Sequence, residues 1–371
     1  MNKIILGVKH QILLCICCFS FIYAAAQPQS LSEHAKISIL TCGTGEELYT
    51  LFGHTALRIR DTDQNLDVVY NWGMFDFRTP GFYTKFVKGN LLYYLDVDRF
   101  DDFLYSYEMN QREVVEQELN LTYSQKSAIW NEINRQLKSD DRYYTYGFIR
   151  NNCTTKVVDV LNKALPNPLS TDFPSNNHSY RYILNEGLQD HYFEKLGINL
   201  LFGYSTNKQS DLIFLPVKFK DAIVYNKSIL KAQNILYAPQ KIGQAKGFNS
   251  VLTLWIMVVV LSFGAFKSGI RLGYFLTTAV FGLFLLGVSI FTCHEELHFN
   301  AWILFFNPIL AAWVWKKNNK LGAVGVVVVI CGLLFMGAEL FFIAMPLIVL
   351  HFIYIIAEFF SKRKRVVLLH T

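Results

Sequence analysis

The last third of the chain is a block of apolar sequence, and this block limits the possible folds more than any other feature. Residues 249–360 are nearly all apolar, whereas residues 28–248 have the mixed charge of a globular domain. With 52% of its 371 residues in the hydrophobic class, the chain is too apolar for an ordinary soluble protein. Its length suits one domain of about 200 residues followed by a helical membrane domain.

The apolar block divides into spans that approach the roughly 20 residues needed to cross a bilayer. The third span is short and contains Asn307-Pro308, and Glu339 separates the last two. We therefore expect an all-α transmembrane domain of about five helices within residues 249–365. The expected spans are about 250–266, 272–292, 301–315, 321–338 and 340–359.

Charge places the globular part outside the cytoplasm. Lysine and arginine follow the first, third and fifth spans and are missing from the other two connections. Basic loops stay in the cytoplasm, so the first span enters from outside. Residues 1–26 predict the same, because Lys3 and Lys9 precede an apolar run that ends in Ala24-Ala25-Ala26, as in a signal peptide. An uncleaved anchor helix is the alternative, and it would also export the domain that we expect at residues 27–248.

Alternation of polar and apolar residues predicts strands over residues 37–41, 54–59 and 68–72. The last two would form a hairpin that brings Asn71 near His54. A further strand is expected over residues 112–121 and an extended segment over 142–147. The predicted helices of this domain, apart from the one that follows Asn152, are 99–109, 122–138, 179–203 and 218–234.

A cysteine and a histidine are the candidate reactive pair. Asn152 is a natural N-cap, so Cys153 falls in the first turn of a helix, where backbone N–H groups and the helix dipole favour a thiolate. His54, in the segment Phe52-Gly53-His54, would move protons between the thiol and the reacting groups. A third polar group usually orients such an imidazole; Asn71 is the first choice and Asp76 the second. The first-turn N–H groups could also hold an oxyanion.

Each of these residues also has a purely structural interpretation. Cysteines of exported proteins are often in disulfides, and Cys42 and Cys153 are the two cysteines of residues 27–248. His54 could be an ordinary strand histidine and Asn71 an ordinary strand amide. The chain would then be a membrane-tethered binding or assembly module.

The loop His294-Glu295-Glu296-Leu297-His298 matches the string of a zinc-binding helix. It lies between two apolar spans, which leave no room for a third ligand and a cleft, so a polar turn at the membrane surface is the preferred interpretation. No basic stripe is interleaved with aromatic residues in the globular part, so we expect no nucleic-acid partner.

Four segments give the chain a family resemblance: Leu40–Tyr49, Phe52–Ile59, Tyr70–Phe77 and Asn152–Thr155. Together they resemble the Lnb family of lipoprotein N-acyltransferases, which also place an exported domain before membrane helices. The histidine-before-cysteine order is similar to that of permuted NlpC/P60 and papain-like enzymes. The resemblance implies an α+β exported domain of that permuted type, facing the periplasm from the bacterial inner membrane.

The resemblance also implies a reaction. Cys153 would be the nucleophile and His54 the base, with Asn71 as the third member. An acyl chain would pass from a phospholipid through a Cys153 thioester to the α-amine of a diacylglyceryl-cysteine lipoprotein, without a metal or an organic cofactor. The alternative is a phospholipase, or a cell-wall amidase or endopeptidase, of the same fold.

Overall fold

The computed structural model describes residues 30–239 and 247–368. The predicted signal peptide lies outside these residues. Within them, seven strands form one antiparallel sheet in the order β6-β4-β3-β2-β1-β5-β7. The strands are β1 (Lys36–Cys42), β2 (His54–Asp61), β3 (Leu66–Met74), β4 (Leu92–Arg99), β5 (Val114–Leu119), β6 (Tyr143–Thr145) and β7 (Leu230–Tyr237).

Side chains alternate between the two faces of the sheet, and helices cover both. The helices of this part are α1 (Phe82–Lys88), α2 (Phe100–Met109), α3 (Tyr123–Leu137), α4 (Cys153–Ala164), α5 (Tyr180–Gly187), α6 (Tyr192–Leu201) and α7 (Pro216–Tyr225). One face carries Ile37, Ile39 and Leu57, packed against α3, α4 and α7. The other carries Leu40 and Ala56, packed against α2. Apolar residues on both faces explain why the central strands are buried almost throughout.

The strand and helix predictions for the first half of this domain are confirmed. β2 and β3 form the expected hairpin, and Thr122 caps α3 through a reciprocal pair of hydrogen bonds with Gln125. The sequence interpretation missed α1 and β4, and the predicted helix over 179–203 is two helices, α5 and α6.

The predicted helix over residues 218–234 is wrong beyond Tyr225. The chain turns after α7 and continues as β7, which adds to the edge of the sheet by pairing with β5. That pairing joins residues more than 100 positions apart, such as Gln117 and Gln233. A partner so distant supplies the backbone hydrogen bonds of the strand and overrides the local helical pattern.

The C-terminal part is helical and strongly apolar. Its helices are α8 (Val251–Ser262), α9 (Ser268–Phe291), α10 (Trp302–Phe305), α11 (Pro308–Lys316), α12 (Asn319–Phe335) and α13 (Ala338–Leu368). Three described segments are long and apolar enough to cross a membrane: Ser268–Phe291, Glu295–Lys316 and Ala338–Ser361. Val251–Phe266 and Asn319–Phe335 are shorter apolar helices, so five crossings remain a prediction.

The two parts of the chain are joined by hydrogen bonds as well as by packing. The Trp302 indole donates to the Asn199 carbonyl at 3.0 Å, and the Asn300 amide donates to the carbonyls of Leu200 and Leu201. The Asn185 amide donates to Glu339 at 2.7 Å. The sheet domain is thereby held against the ends of the apolar helices, which fixes the position of its site relative to them.

Candidate active site

Cys153 is the first residue of α4, as the capping pattern predicts. The Asn152 side chain accepts hydrogen bonds from the N–H groups of Thr154 and Thr155, at 2.9 and 3.1 Å. A hydrogen bond of 2.9 Å between the hydroxyls of Thr55 and Thr154 fastens the start of α4 to β2. The nucleophile candidate therefore sits on a buried, doubly anchored helix terminus.

His54 opens β2 beside this helix terminus. Gly53 before it has a φ of +78°, and a Cβ at that position would lie 2.3 Å from the Cys42 carbonyl oxygen, so only glycine fits. The imidazole is hydrogen bonded to Cys153 on one side. On the other side its Nε2 lies 3.1 Å from Asn71 Oδ1.

Asn71 and Asp98 extend this chain of polar groups. Asn71 is 2% exposed, and its Nδ2 donates to Asp98 Oδ2 at 2.8 Å. Because the Asn71 amide nitrogen donates to Asp98, its oxygen faces His54 and orients the ring. The structure thus connects Cys153, His54, Asn71 and Asp98 in that order.

Electrostatics favour a thiolate and an imidazolium. Burial alone would raise the pKa of the Cys153 thiol, but the charge and hydrogen bond of His54, with the Thr55 backbone N–H, outweigh it and lower that pKa. Burial alone would lower the pKa of His54, but Cys153 and the Asn71 hydrogen bond outweigh it and raise that pKa. Opposite shifts in neighbouring groups stabilise the ion pair that a thiol nucleophile needs.

Cys42 has a different environment, although it pairs with His54 across β1 and β2. Its side chain is buried and burial raises the pKa of its thiol to about 12. Cys42 and Cys153 are both free thiols in the structure, so the disulfide alternative finds no support there. Asp76, the second choice as partner of the imidazole, instead forms an exposed ion pair with Arg78 at 2.8 Å.

Tyr144 completes the immediate surroundings of the sulfur. A Cβ on Gly73, whose φ is +93°, would lie 3.6 Å from Cys153 Cβ and 3.8 Å from the Tyr144 oxygen. The buried Tyr144 hydroxyl lies near the Gly73 backbone N–H and has no acceptor for its own proton among the described groups. The Asn152 cap occupies the N–H groups of Thr154 and Thr155 but not that of Cys153. The Cys153 N–H and the Tyr144 hydroxyl are thus two donors near Cys153 that the hydrogen bonds of the described residues leave available.

The loop with the two histidines is hydrogen bonded to the backbone around the site. His294 Nε2 lies 2.9 Å from the Phe86 carbonyl, and His298 Nε2 lies 3.1 Å from the Thr292 carbonyl. Glu296 is 5% exposed and accepts the Ile149 N–H at 2.8 Å, just before the cysteine helix. In the described part of the chain, no group of three or more His, Cys, Asp or Glu side chains could hold a metal ion.

Residues 23–186 match the family model described as the Lnb N-terminal periplasmic domain. The match includes Cys153, His54, Asn71 and Asp98, the hydrogen-bonded residues of the site. This part of the chain is an Lnb N-terminal periplasmic domain. No curated protein and no solved structure matches the chain. With its Lnb domain and its long apolar helices, it is a membrane protein with a periplasmic domain.

The structure brings together Cys153, His54 and Asn71, the three site residues predicted from the sequence of this Lnb domain. It adds Asp98 and Tyr144, which were not predicted. Asp98 lies on β4, where Leu95-Asp96-Val97-Asp98 alternates as a strand does; that alternation could have revealed the strand. Tyr144 lies on β6, within the segment that was predicted to be extended. Its position beside Cys153 depends on the pairing of β6 with β4, which no local pattern indicates.

Proposed function

We propose that this protein is a lipoprotein N-acyltransferase of the bacterial inner membrane. It would move an acyl chain from a phospholipid to the N-terminal α-amine of diacylglyceryl-cysteine lipoproteins. The observation that carries the proposal is the hydrogen-bonded Cys153–His54 pair inside an Lnb periplasmic domain. The apolar helices support it, because both substrates are anchored in a membrane.

The first half of the reaction uses the thiolate as nucleophile. Cys153 Sγ attacks the ester carbonyl of the phospholipid, and the oxyanion is stabilised by the Cys153 N–H and the Tyr144 hydroxyl. The carbon–oxygen bond of the ester breaks as the His54 imidazolium gives its proton to the departing lysophospholipid oxygen. An acyl-thioester on Cys153 and a neutral imidazole remain.

The second half returns the enzyme to its starting state. The lipoprotein α-amine attacks the thioester carbonyl, and His54 takes the proton that the nitrogen releases. The carbon–sulfur bond breaks, an amide forms, and the Cys153 thiolate is paired again with the imidazolium. Asn71, held by Asp98, keeps the ring oriented in both halves.

The same proposal includes a fold and a topology. Strand β2, which begins with His54, precedes helix α4, which begins with Cys153, and α4 packs on β2 and β3. This order and packing support a permuted papain-like or NlpC/P60-like domain. The basic residues between spans support a multi-pass topology with this domain on the periplasmic side.

Substitution of the two central residues tests the function. Cys153→Ala and His54→Ala should each abolish N-acylation of a diacylated lipoprotein, measured by mass spectrometry of its N-terminal lipopeptide, while the protein still accumulates. Cys42→Ala is the matched control, because that cysteine is buried away from solvent with a raised pKa, and it should retain activity. Fully N-acylated product in either test variant would refute the proposal.

The fate of the acyl group distinguishes the proposed acyltransferase from a hydrolase of the same fold. Purified wild-type protein with phospholipid and lipopeptide should form the amide. Release of free fatty acid without amide formation would favour a phospholipase, and release of muropeptides from cell wall would favour an amidase or endopeptidase.

A further inference from the structure

An exposed cluster of aromatic side chains lies beside the active site. Its members are Tyr49, Phe75, Phe77, Phe82 and Tyr83, and we call it the aromatic patch. Ring centroids within the patch are 4.9 to 6.4 Å apart. Phe77 is 58% exposed and Tyr83 is 76% exposed, so a large apolar surface faces outward. A contiguous apolar surface of this kind marks an interaction site.

The patch is continuous with the surroundings of the catalytic sulfur. Phe75 packs on Tyr93 at 5.2 Å, and Tyr93 packs on Tyr146 at 4.6 Å. A Cβ on Gly73 would lie 4.0 Å from the Tyr146 ring and 3.6 Å from Cys153 Cβ. A row of aromatic rings therefore runs from the exposed surface to Tyr146, which shares its neighbour Gly73 with Cys153.

The patch is also fixed to the end of a membrane helix. Phe82 and Tyr83 lie on α1, and the backbone carbonyls at the other end of α1 bind the segment that follows α9. The Cys293 N–H donates to the Lys88 carbonyl at 2.8 Å, and the Thr292 hydroxyl donates to the Val87 carbonyl at 2.9 Å. Because α9 is long and apolar enough over Ser268–Phe291 to cross a membrane, the C-terminal end of α1 lies at the end of a candidate span, and Phe82 and Tyr83 lie about one to two turns away on the same short helix.

We infer that the aromatic patch is the surface that receives the phospholipid acyl chain from the outer leaflet and guides it to Cys153. Aromatic side chains favour the membrane–water interface, and exposed Lys85 and Lys88 on α1 suit the phosphates of the headgroups. The inference rests on the proposed function for its catalytic consequence, whereas lipid contact at the patch is independent of the reaction catalysed.

Photo-cross-linking tests the contact directly. The full chain is placed in nanodiscs of phosphatidylethanolamine and phosphatidylglycerol that contain a phospholipid with a diazirine at the end of one acyl chain. Peptides that contain the patch should be labelled, and the double variant Phe77→Ser/Tyr83→Ser should lose most of that label. Tyr105→Ser is the matched control, because Tyr105 is 62% exposed and lies on α2, outside the patch. Labelling confined to the apolar helices, or equal patch labelling in the double variant and the wild type, would overturn the inference.

Kinetics test the consequence. In the double variant, kcat/KM with a long-chain phospholipid donor should fall about tenfold or more, since a hydrophobic subsite discriminates by that order. The alkylation rate of Cys153 and the melting temperature should stay at wild-type values, because both substituted side chains are exposed. An unchanged kcat/KM for the long-chain donor would contradict the guiding role. If wild-type protein transfers no acyl chain at all, the proposed function fails, and the cross-linking result still decides the lipid contact.

Discussion

Asn71→Ala should uncouple the imidazole from its support. Asn71 accepts from His54 at 3.1 Å and donates to Asp98 at 2.8 Å, and it is almost fully buried. A hydrogen bond to a charged group contributes about 1.5–3 kcal/mol. If one such bond supports the transition state, its loss lowers kcat/KM about 10- to 150-fold, since 1.36 kcal/mol corresponds to a factor of ten.

The same substitution should change the pH profile. The Asn71 hydrogen bond helps to raise the pKa of His54, so its removal lowers that pKa. The imidazolium is present only below the pKa of His54, and the alkaline limb of the kcat/KM profile should therefore move to lower pH. A purely structural loss would reduce the amount of active protein and leave the profile in place.

The assay is acyl transfer from phospholipid to a diacylated lipopeptide, measured across pH with purified protein. Asp76→Ala is the control, because Asp76 pairs with exposed Arg78 and not with the imidazole. It should keep wild-type kinetics. An Asn71→Ala enzyme with unchanged kcat/KM and an unchanged alkaline limb would refute the assigned role of Asn71.

Three further substitutions probe the rest of the site. His54→Ala should move the midpoint of Cys153 alkylation to higher pH, because burial without the imidazole raises the pKa of the thiol. Peptide mass spectrometry of alkylated protein across pH measures this midpoint. An unmoved midpoint would contradict the Cys153–His54 ion pair. Tyr144→Phe should lower kcat by about 10²-fold with little change in melting temperature, since the lost hydroxyl donates to no described group in the free enzyme. An undiminished kcat would exclude it as an oxyanion donor. Glu296→Ala leaves the buried Ile149 N–H without an acceptor, so the free energy of unfolding should drop by about 1–3 kcal/mol in denaturant titrations, and Glu296→Gln should restore most of it.

Local patterns were sufficient for the elements that hold the reactive pair. The alternation around His54 and Asn71 fixed two strands and their hairpin, and the capping preference of Asn152 placed Cys153 at a helix start. These features depend on residues within a few positions of one another, so they can be read from the chain directly.

Features that depend on distant partners were missed or misjudged. β7 exists because β5 offers an edge, and it replaced a predicted helix over residues 226–234. Asp98 and Tyr144 join the site through the pairing of β4 with β3 and β6. The use of His294 as a backbone hydrogen-bond partner depends on α1, which was not predicted. Contacts of this kind are set by tertiary structure, and a single sequence without an alignment does not reveal them.

The most direct test of the account is the covalent intermediate on Cys153. Full-length protein is incubated with phospholipid alone, quenched in acid, digested and measured by mass spectrometry. We expect the mass of one acyl chain on the Cys153 peptide, removed by neutral hydroxylamine and lost when a diacylated lipopeptide is added before the quench. An acyl mass on another residue, or acyl transfer that persists in Cys153→Ala, would contradict the account.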